Sequence, residues 1–148
     1  MEKIRDLIAR HEDKSLKLYI CPAGAKTIGV GHNMDSKPLP AYMAAYLKEH
    51  GEITNEMADD LLDMDIANAT GDCLRLYDNF SSFTPARYNA LVDFLFNVGI
   101  GTARSFKKAR AAINAGDWNL AAHEMEDSEW FKQVKGRGFE IVRMIREG

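Results

Sequence analysis

The chain has 148 residues, of which 46% are hydrophobic and 28% charged, a composition typical of a folded domain with a buried core. Its formal net charge of −3 argues against nucleic-acid binding through phosphate neutralisation. No apolar run is long enough to span a bilayer, and the charged start Met1-Glu2-Lys3 does not resemble a secretory signal. We therefore expect synthesis in the cytoplasm without a signal peptide.

Metal and cofactor sites are not indicated. The two cysteines, Cys21 and Cys73, have neither the spacing of a metal knuckle nor the number of a disulfide framework. The histidines lack metal-ligand spacing, and the acidic run from Asp59 to Asp65 lacks the glycine of a calcium loop. We expect no cofactor and no metal, and a solvated face for that acidic run.

The N-terminal third predicts one helix and a β-hairpin. Apolar residues at helical spacing predict a helix over residues 2 to about 11, with Glu12 on its apolar side at the C-terminal end. Alternating residues from Leu16 to Ile20 indicate a half-buried strand, and residues 21–25 have turn chemistry. A second strand is predicted from Thr27 to His32, with a nearly bare face formed by Thr27, Gly29 and Gly31 that a ligand could approach.

The rest of the chain predicts helices. A short helix is predicted over 41–48, and Thr54 is a plausible N-cap of a long helix that reaches Leu76. Thr84-Pro85 predicts the start of a central buried helix that Gly99 ends. Further helices are predicted from about 103 to 115, after Asp117, and across 138–145, while Trp130-Phe131 indicates core packing.

Glu12 is the candidate catalytic group. A carboxylic acid donates a proton near neutral pH when burial or negative potential disfavours its ionised form. Glu12 is expected on an apolar helix side and beside the partly negative end of the helix dipole, and both features disfavour the carboxylate. Helix position alone, however, fits a solvated glutamate equally well.

The spacing of Glu12, Cys21 and Thr27, followed by Ile28-Gly29-Val30-Gly31-His32, resembles the catalytic signature of the phage-type, T4-like lysozymes and endolysins. Two further blocks are similar to that family: Phe96-Asn97-Val98-Gly99, and Ser128 to Gln133 followed by Arg137. The resemblance covers essentially the whole chain. It implies an α+β, mostly helical fold with an N-terminal lobe of about 1–55, a connecting helix of about 54–77 and a C-terminal lobe of about 78–148.

The resemblance also implies roles for individual residues. Glu12 would protonate the glycosidic oxygen between N-acetylmuramic acid and N-acetylglucosamine, and Thr27 would hold the attacking water. Arg137 would orient Glu12. Gly31 on the bare strand face, with Phe96 and Asn97 at the end of the central helix, would border the sugar. His32 would form a structural ion pair with Asp65.

Cys21 stands where the family more often has aspartate, and a thiol is mostly neutral at pH 7. Three interpretations stay open: a thiolate that assists water, which we favour, a covalent nucleophile, or a small spacer. Two alternative functions follow. One is a lysozyme-like domain that binds glycan without turnover, and the other is a thiol peptidase built on Cys21 and His32.

The resemblance names the partners as well. It implies peptidoglycan glycan strands as substrate, action on the cell wall, and a monomer. Access from the cytoplasm would need a membrane-permeabilising partner of the holin kind, with host-cell lysis as the outcome. Whether the product is an inverted, retained or anhydro sugar stays open.

Overall fold

The computed structural model describes residues 2–148. It is mostly helical, with a small three-stranded antiparallel sheet near the N-terminus and a helical C-terminal part, so the predicted α+β class is confirmed. The chain forms two compact units, one of residues Arg5–Ile66 and one of Ala67–Gly148 with the first residues up to Ile4. None of the described helices is both long enough and apolar enough to cross a membrane.

The first unit contains the sheet and two helices. Its elements are α1 (Ile4–His11), β1 (Lys14–Ile20), β2 (Lys26–Val30), β3 (His32–Asn33), α2 (Ala41–His50) and the first part of α3 (Asn55–Leu76). The sheet order is β1-β2-β3, with both pairs antiparallel. The Thr54 hydroxyl accepts a hydrogen bond from the Met57 amide, so the predicted N-cap of α3 is confirmed. A small core under the sheet includes Ile28, Met43 and Leu61, all fully buried.

The predicted single strand from Thr27 to His32 is wrong. The chain reverses within it, so that Ile28 pairs with His32 in the antiparallel ladder between β2 and β3. Gly29 and Gly31 have φ values of +67° and +70°, a region that side chains with a Cβ rarely adopt. These two glycines therefore make a tight turn where alternation predicts extended chain.

The predicted burial of β1 is also wrong in its second half. Leu16 packs against the small core, but Leu18 is 42% exposed and Ile20 is 59% exposed. The pairing of β1 with β2 shifts register between Ser15 and Tyr19. Such an irregularity changes which side chains face the core, and alternation in the sequence does not report it.

The second unit is helical. After the end of α3 it contains a 3-10 turn (Phe80–Ser82), α4 (Pro85–Ser105), α5 (Lys107–Asn114), α6 (Trp118–Glu126), α7 (Glu129–Val134) and α8 (Gly136–Glu147). The side chains of Thr84, Asp117 and Ser128 accept hydrogen bonds from the first turns of α4, α6 and α7. Polar caps thus set the starts of three helices, and the two predicted caps, Thr84 and Asp117, are confirmed.

The predicted helix over 103–115 is wrong in its start. Gly99 breaks α4 with a φ of +81°, as predicted, but helical structure resumes and runs to Ser105. A second break falls at Phe106, and α5 begins only at Lys107. The Phe106 ring lies edge-on to Phe94 at 5.1 Å and near Trp130 at 6.3 Å between ring centroids. This aromatic packing accompanies a break that local helix signals do not show.

Candidate active site

Glu12 lies at the C-terminal end of α1, as predicted. Its amide donates to the Ile8 carbonyl at 2.9 Å, so the helical hydrogen-bond ladder reaches this residue. The side chain is half-buried and lies against the backbone of Gly31. A Cβ at position 31 would be 2.7 Å from the Glu12 carboxyl carbon and 2.8 Å from Oε2, closer than real contacts allow. The missing side chain of Gly31 therefore makes room for the carboxyl group of Glu12.

The predicted bare strand face is wrong for Gly29. A Cβ there would point at Ala58 and Leu61 of α3, at 3.7 and 3.8 Å, and the residue is buried. Because the chain turns between Ile28 and His32, positions 29 and 31 do not share a strand face. Gly31 alone of these two glycines lies beside the candidate acid.

Cys21 opens the tight turn between β1 and β2. The Cys21 amide donates to the Ala25 carbonyl at 3.0 Å, and the Cys21 carbonyl accepts from the Gly24 amide at 2.8 Å. Burial raises the pKa of this thiol, but the hydrogen-bonding influence of Ala25, of the Thr27 side chain and of the Ala23 and Gly24 backbone together outweighs it. The net result is a pKa below the ordinary value, because these groups stabilise the thiolate.

Thr27 is buried, at 4% exposure, and lies beside Cys21. Its hydroxyl donates to the Ala25 carbonyl at 3.0 Å and is also within hydrogen-bonding reach of the Cys21 sulfur. A hydroxyl has one hydrogen to donate and two lone pairs to accept with. Thr27 can therefore serve one of these acceptors at a time and still accept a hydrogen bond from a bound water.

Tyr19 belongs to this cluster, although no sequence motif singles it out. It is paired with Thr27 across the β1–β2 ladder. Burial raises the pKa of its phenol, and the negative charges of Glu12, Asp13 and Cys21 raise it further, so the group stays protonated. The signal available in the sequence was its place in the strand, opposite the predicted threonine.

His32 and Asp65 form a buried pair within the same unit. Nδ1 of His32 lies 2.7 Å from Asp65 Oδ2, and Nε2 lies 2.8 Å from the Lys37 carbonyl oxygen. Their side chains are 4% and 8% exposed. Since a carbonyl oxygen only accepts, Nε2 carries a hydrogen, and the opposite nitrogen faces a carboxyl group. Both ring nitrogens are thus occupied, and the pair ties the glycine turn to α3.

Arg137 lies in the helical unit, in the first turn of α8. Its Nη2 donates to Asp93 Oδ1 at 2.6 Å, and the two side chains are 10% and 0% exposed. Sequence reasoning missed Asp93, since it interrupts an apolar helix without belonging to any motif. The pairing of Arg137 with Glu12 remains a prediction, because these residues belong to different units.

Asn97 and Phe96 are half-buried in α4, just before Gly99. The Asn97 Oδ1 accepts a hydrogen bond of 2.7 Å from the Trp130 indole. This contact fixes the amide so that its NH₂ group points away from Trp130. Trp130 itself is 7% exposed and packs edge-on against Phe94, so its predicted core packing is confirmed.

Within residues 2–148, no group of three or more histidine, cysteine or acidic side chains is arranged to hold a metal ion. Cys21 and Cys73 are both free thiols. Burial raises the pKa of the Cys73 thiol, which lies in the core on α3 as its apolar stripe predicted. Asp59, Asp60 and Asp63 of the acidic run on α3 are exposed, and Arg5 bridges Asp59 and Asp63. The predicted solvated face is wrong for Asp65, which is 6% exposed because it packs against His32.

Comparison with known proteins gives a consistent result. The family described as Phage lysozyme matches residues 9–145. An endolysin of Acyrthosiphon pisum secondary endosymbiont phage 1 is 31% identical, across 98% of this chain and 89% of its own length. Probable T4-type lysozyme 1 of Dictyostelium discoideum is 24% identical across the whole chain and 96% of its length. The pre-baseplate central spike protein Gp5 of Enterobacteria phage T4 is 29% identical across 97% of this chain, which spans only 27% of that protein.

Proposed function

Since the chain belongs to the phage lysozyme family, we propose that it hydrolyses the β-1,4 bond between N-acetylmuramic acid and N-acetylglucosamine in bacterial peptidoglycan. The observation that carries the proposal is the position of Glu12. A half-buried carboxyl group at a helix C-terminus lies over a glycine whose missing side chain leaves it room. A general acid must lie within hydrogen-bonding reach of the proton acceptor, and the glycine leaves the Glu12 carboxyl group open on that side.

In the proposed reaction Glu12 gives its proton to the glycosidic oxygen as the bond to the departing sugar breaks. The sugar left behind develops oxocarbenium character, and a water adds to it. Thr27 supports this step because its hydroxyl retains lone pairs for a water. Arg137 is proposed to orient the Glu12 carboxyl, and the fixed amide of Asn97, with Phe96 beside it, to contact the glycan.

Cys21 is proposed to act as the thiolate that assists this water. The hydrogen-bonding groups of the turn lower the pKa of its thiol, and a lowered pKa increases the thiolate fraction near neutral pH. A spacer would need no such set of groups. The turn geometry therefore favours the thiolate over the spacer.

A thiol peptidase is disfavoured by the contacts of His32. A catalytic imidazole must offer a free nitrogen to the thiol that it activates. Both nitrogens of His32 are already engaged, by Asp65 and by the Lys37 carbonyl. The groups that lower the pKa of the Cys21 thiol lie in the turn and in Thr27, and they do not include an imidazole.

The test is incubation of the purified protein with peptidoglycan, followed by assays for new reducing ends and new amino termini. We expect reducing ends, and a loss of at least about a thousandfold in rate for Glu12→Gln, because the amide keeps the shape but has no acidic proton. Glu52→Gln, at an exposed glutamate of the same unit, is the matched control and should retain full rate.

The outcomes separate the alternatives. New amino termini would identify a peptidase, and binding to peptidoglycan without release of either group would identify a glycan-binding domain. Unchanged release of reducing ends by Glu12→Gln would remove Glu12 from the acid role. Mass spectrometry of products released in heavy-oxygen water would further separate hydrolysis, which incorporates the label, from formation of an anhydro sugar, which does not.

Host-cell lysis is the cellular part of the proposal, supported by the relative whose name is endolysin. We propose that the enzyme acts on the wall as a monomer once a holin-type partner has opened the membrane. Co-expression with a holin should lower culture turbidity, and expression of either alone, or of the holin with the Glu12→Gln variant, should not.

A further inference from the structure

Asp93 is a charged residue in an apolar setting. It lies within α4 at 0% exposure, and its neighbours Val92, Phe94 and Leu95 are buried as well. Removing a carboxylate from water is costly unless a partner of opposite charge compensates it. The presence of an aspartate here therefore calls for a reason beyond packing.

The partner is the guanidinium of Arg137, 44 positions further along the chain. The donor–acceptor distance of 2.6 Å is that of a short, charge-assisted hydrogen bond, and the arginine side chain is 10% exposed. Well-packed apolar side chains often stabilise a core as well as a buried ion pair does. The ion pair also fixes the position of the guanidinium, because the carboxylate holds a planar donor group that stands at the end of a long side chain.

We propose that Asp93 is a positioning residue, which holds the Arg137 guanidinium in the orientation that its proposed role requires and balances its charge. The inference rests on the proposed function, in which Arg137 orients Glu12. The Asp93 carboxylate offsets the positive charge of Arg137 and holds its guanidinium in place.

A second link between the same two helices provides the matched control. Arg87, in the first turn of α4, donates from Nε to the Ile145 carbonyl of α8 at 2.8 Å. Its guanidinium also lies over the Trp118 ring at 4.5 Å from the centroid. Arg87 therefore connects α4 to α8 as the ion pair does, but it is no part of the proposed catalytic machinery.

The experiment is a double-mutant cycle with kcat and KM measured separately. Asp93→Asn should lower kcat by roughly ten- to hundredfold with little change in KM, because a misplaced catalytic group slows chemistry more than binding. In an Arg137→Gln background, Asp93→Asn should lower kcat by no more than about twofold, since a residue that acts through Arg137 has nothing left to position. Arg87→Gln should lower Tm and leave kcat unchanged.

Equal losses of kcat from Asp93→Asn in both backgrounds would overturn the inference. It would also be overturned if Arg87→Gln lost kcat in the same proportion to its loss of Tm as Asp93→Asn does. Should Asp93→Asn not fold, Arg137→Lys keeps the buried charge but alters the donor geometry, and the same selective loss of kcat is expected; full kcat would overturn the proposal. An unsubstituted protein that releases no reducing ends would instead overturn the proposed function, and this inference with it.

Discussion

The two units hold their key polar side chains by different physical means. In the unit of residues 5–66, a sharp glycine turn leaves space for Glu12, and the backbone of another turn lowers the pKa of the Cys21 thiol. In the helical unit, Arg137 is held by a buried carboxylate within a packed core. The hairpin thus relies on backbone shape, and the helical unit on a pair of charges. Substitutions at the buried ion pair should mainly lower stability, whereas substitutions in the turns should mainly alter the geometry of the polar side chains.

The largest expected effect concerns the buried pair. Asp93→Ala leaves the Arg137 charge in the core without its carboxylate, and a loss of about 3–5 kcal/mol in the free energy of unfolding is expected. Urea denaturation measures this loss. Arg5→Gln, which removes a pair of exposed ion pairs to Asp59 and Asp63, is the control and should cost less than about 1 kcal/mol. Equal losses would show that burial is not what distinguishes the Asp93 pair.

The glycine turn gives the second prediction. Gly31→Ala places a methyl group 2.7 Å from the Glu12 carboxyl carbon and should reduce the rate about a hundredfold by displacing the acid. It also strains a φ of +70°, at a cost of about 1–2 kcal/mol. Gly51→Ala controls for strain, since its φ is +78° but a Cβ there meets no described atom within 4 Å. Gly51→Ala should lower Tm and retain full rate, and an equally active Gly31→Ala would refute the steric argument.

The smallest effect concerns the Cys21 thiol. Alkylation by iodoacetamide follows the thiolate fraction, so Cys21 should react at lower pH than an ordinary thiol, and buried Cys73 should react only after unfolding. Thr27→Val removes one donor while keeping the shape, and should slow Cys21 alkylation severalfold at pH 7. Peptide mass spectrometry resolves the two sites. An unchanged rate would mean that Thr27 does not stabilise the thiolate.

The lowered pKa of Cys21 also determines the direction in which stability changes with pH. A thiol whose pKa is lower in the folded than in the unfolded protein stabilises the fold in its ionised form. This contribution is complete above the unfolded-state pKa and is lost as the pH falls through the folded-state value. In Thr27→Val this contribution should be smaller, so stability should rise less with pH across that window.

Local signals in the sequence predicted the elements that depend on local chemistry. Thr54, Thr84 and Asp117 cap helices because their side chains accept hydrogen bonds from amides only three residues away. Gly99 breaks α4 because only glycine adopts its backbone angles readily. Glu12 lies at the end of a helix, Cys21 in a turn and Thr27 in the following strand, as local patterns predicted, while their catalytic roles stay predictions.

Features that depend on distant partners could not be predicted. The burial of Asp93 is decided by an arginine 44 positions away, and hydrophobic periodicity in α4 does not reveal it. The break at Phe106 accompanies packing against Phe94 and Trp130, which tertiary structure alone brings near. The reversal at Gly31 could not be predicted, because alternation of small and branched residues does not distinguish one long strand from two short strands joined by a turn.

The contact between Gly31 and Glu12 also constrains how this sequence can vary. Any side chain at position 31 occupies the volume of the glutamate carboxyl, so the two positions cannot change independently. In a library randomised at both, non-glycine residues at 31 should survive selection for folding mainly where position 12 carries a shorter side chain. Selection for activity should instead return glycine at 31 together with glutamate at 12. The residues permitted at one position would then depend on the residue at the other.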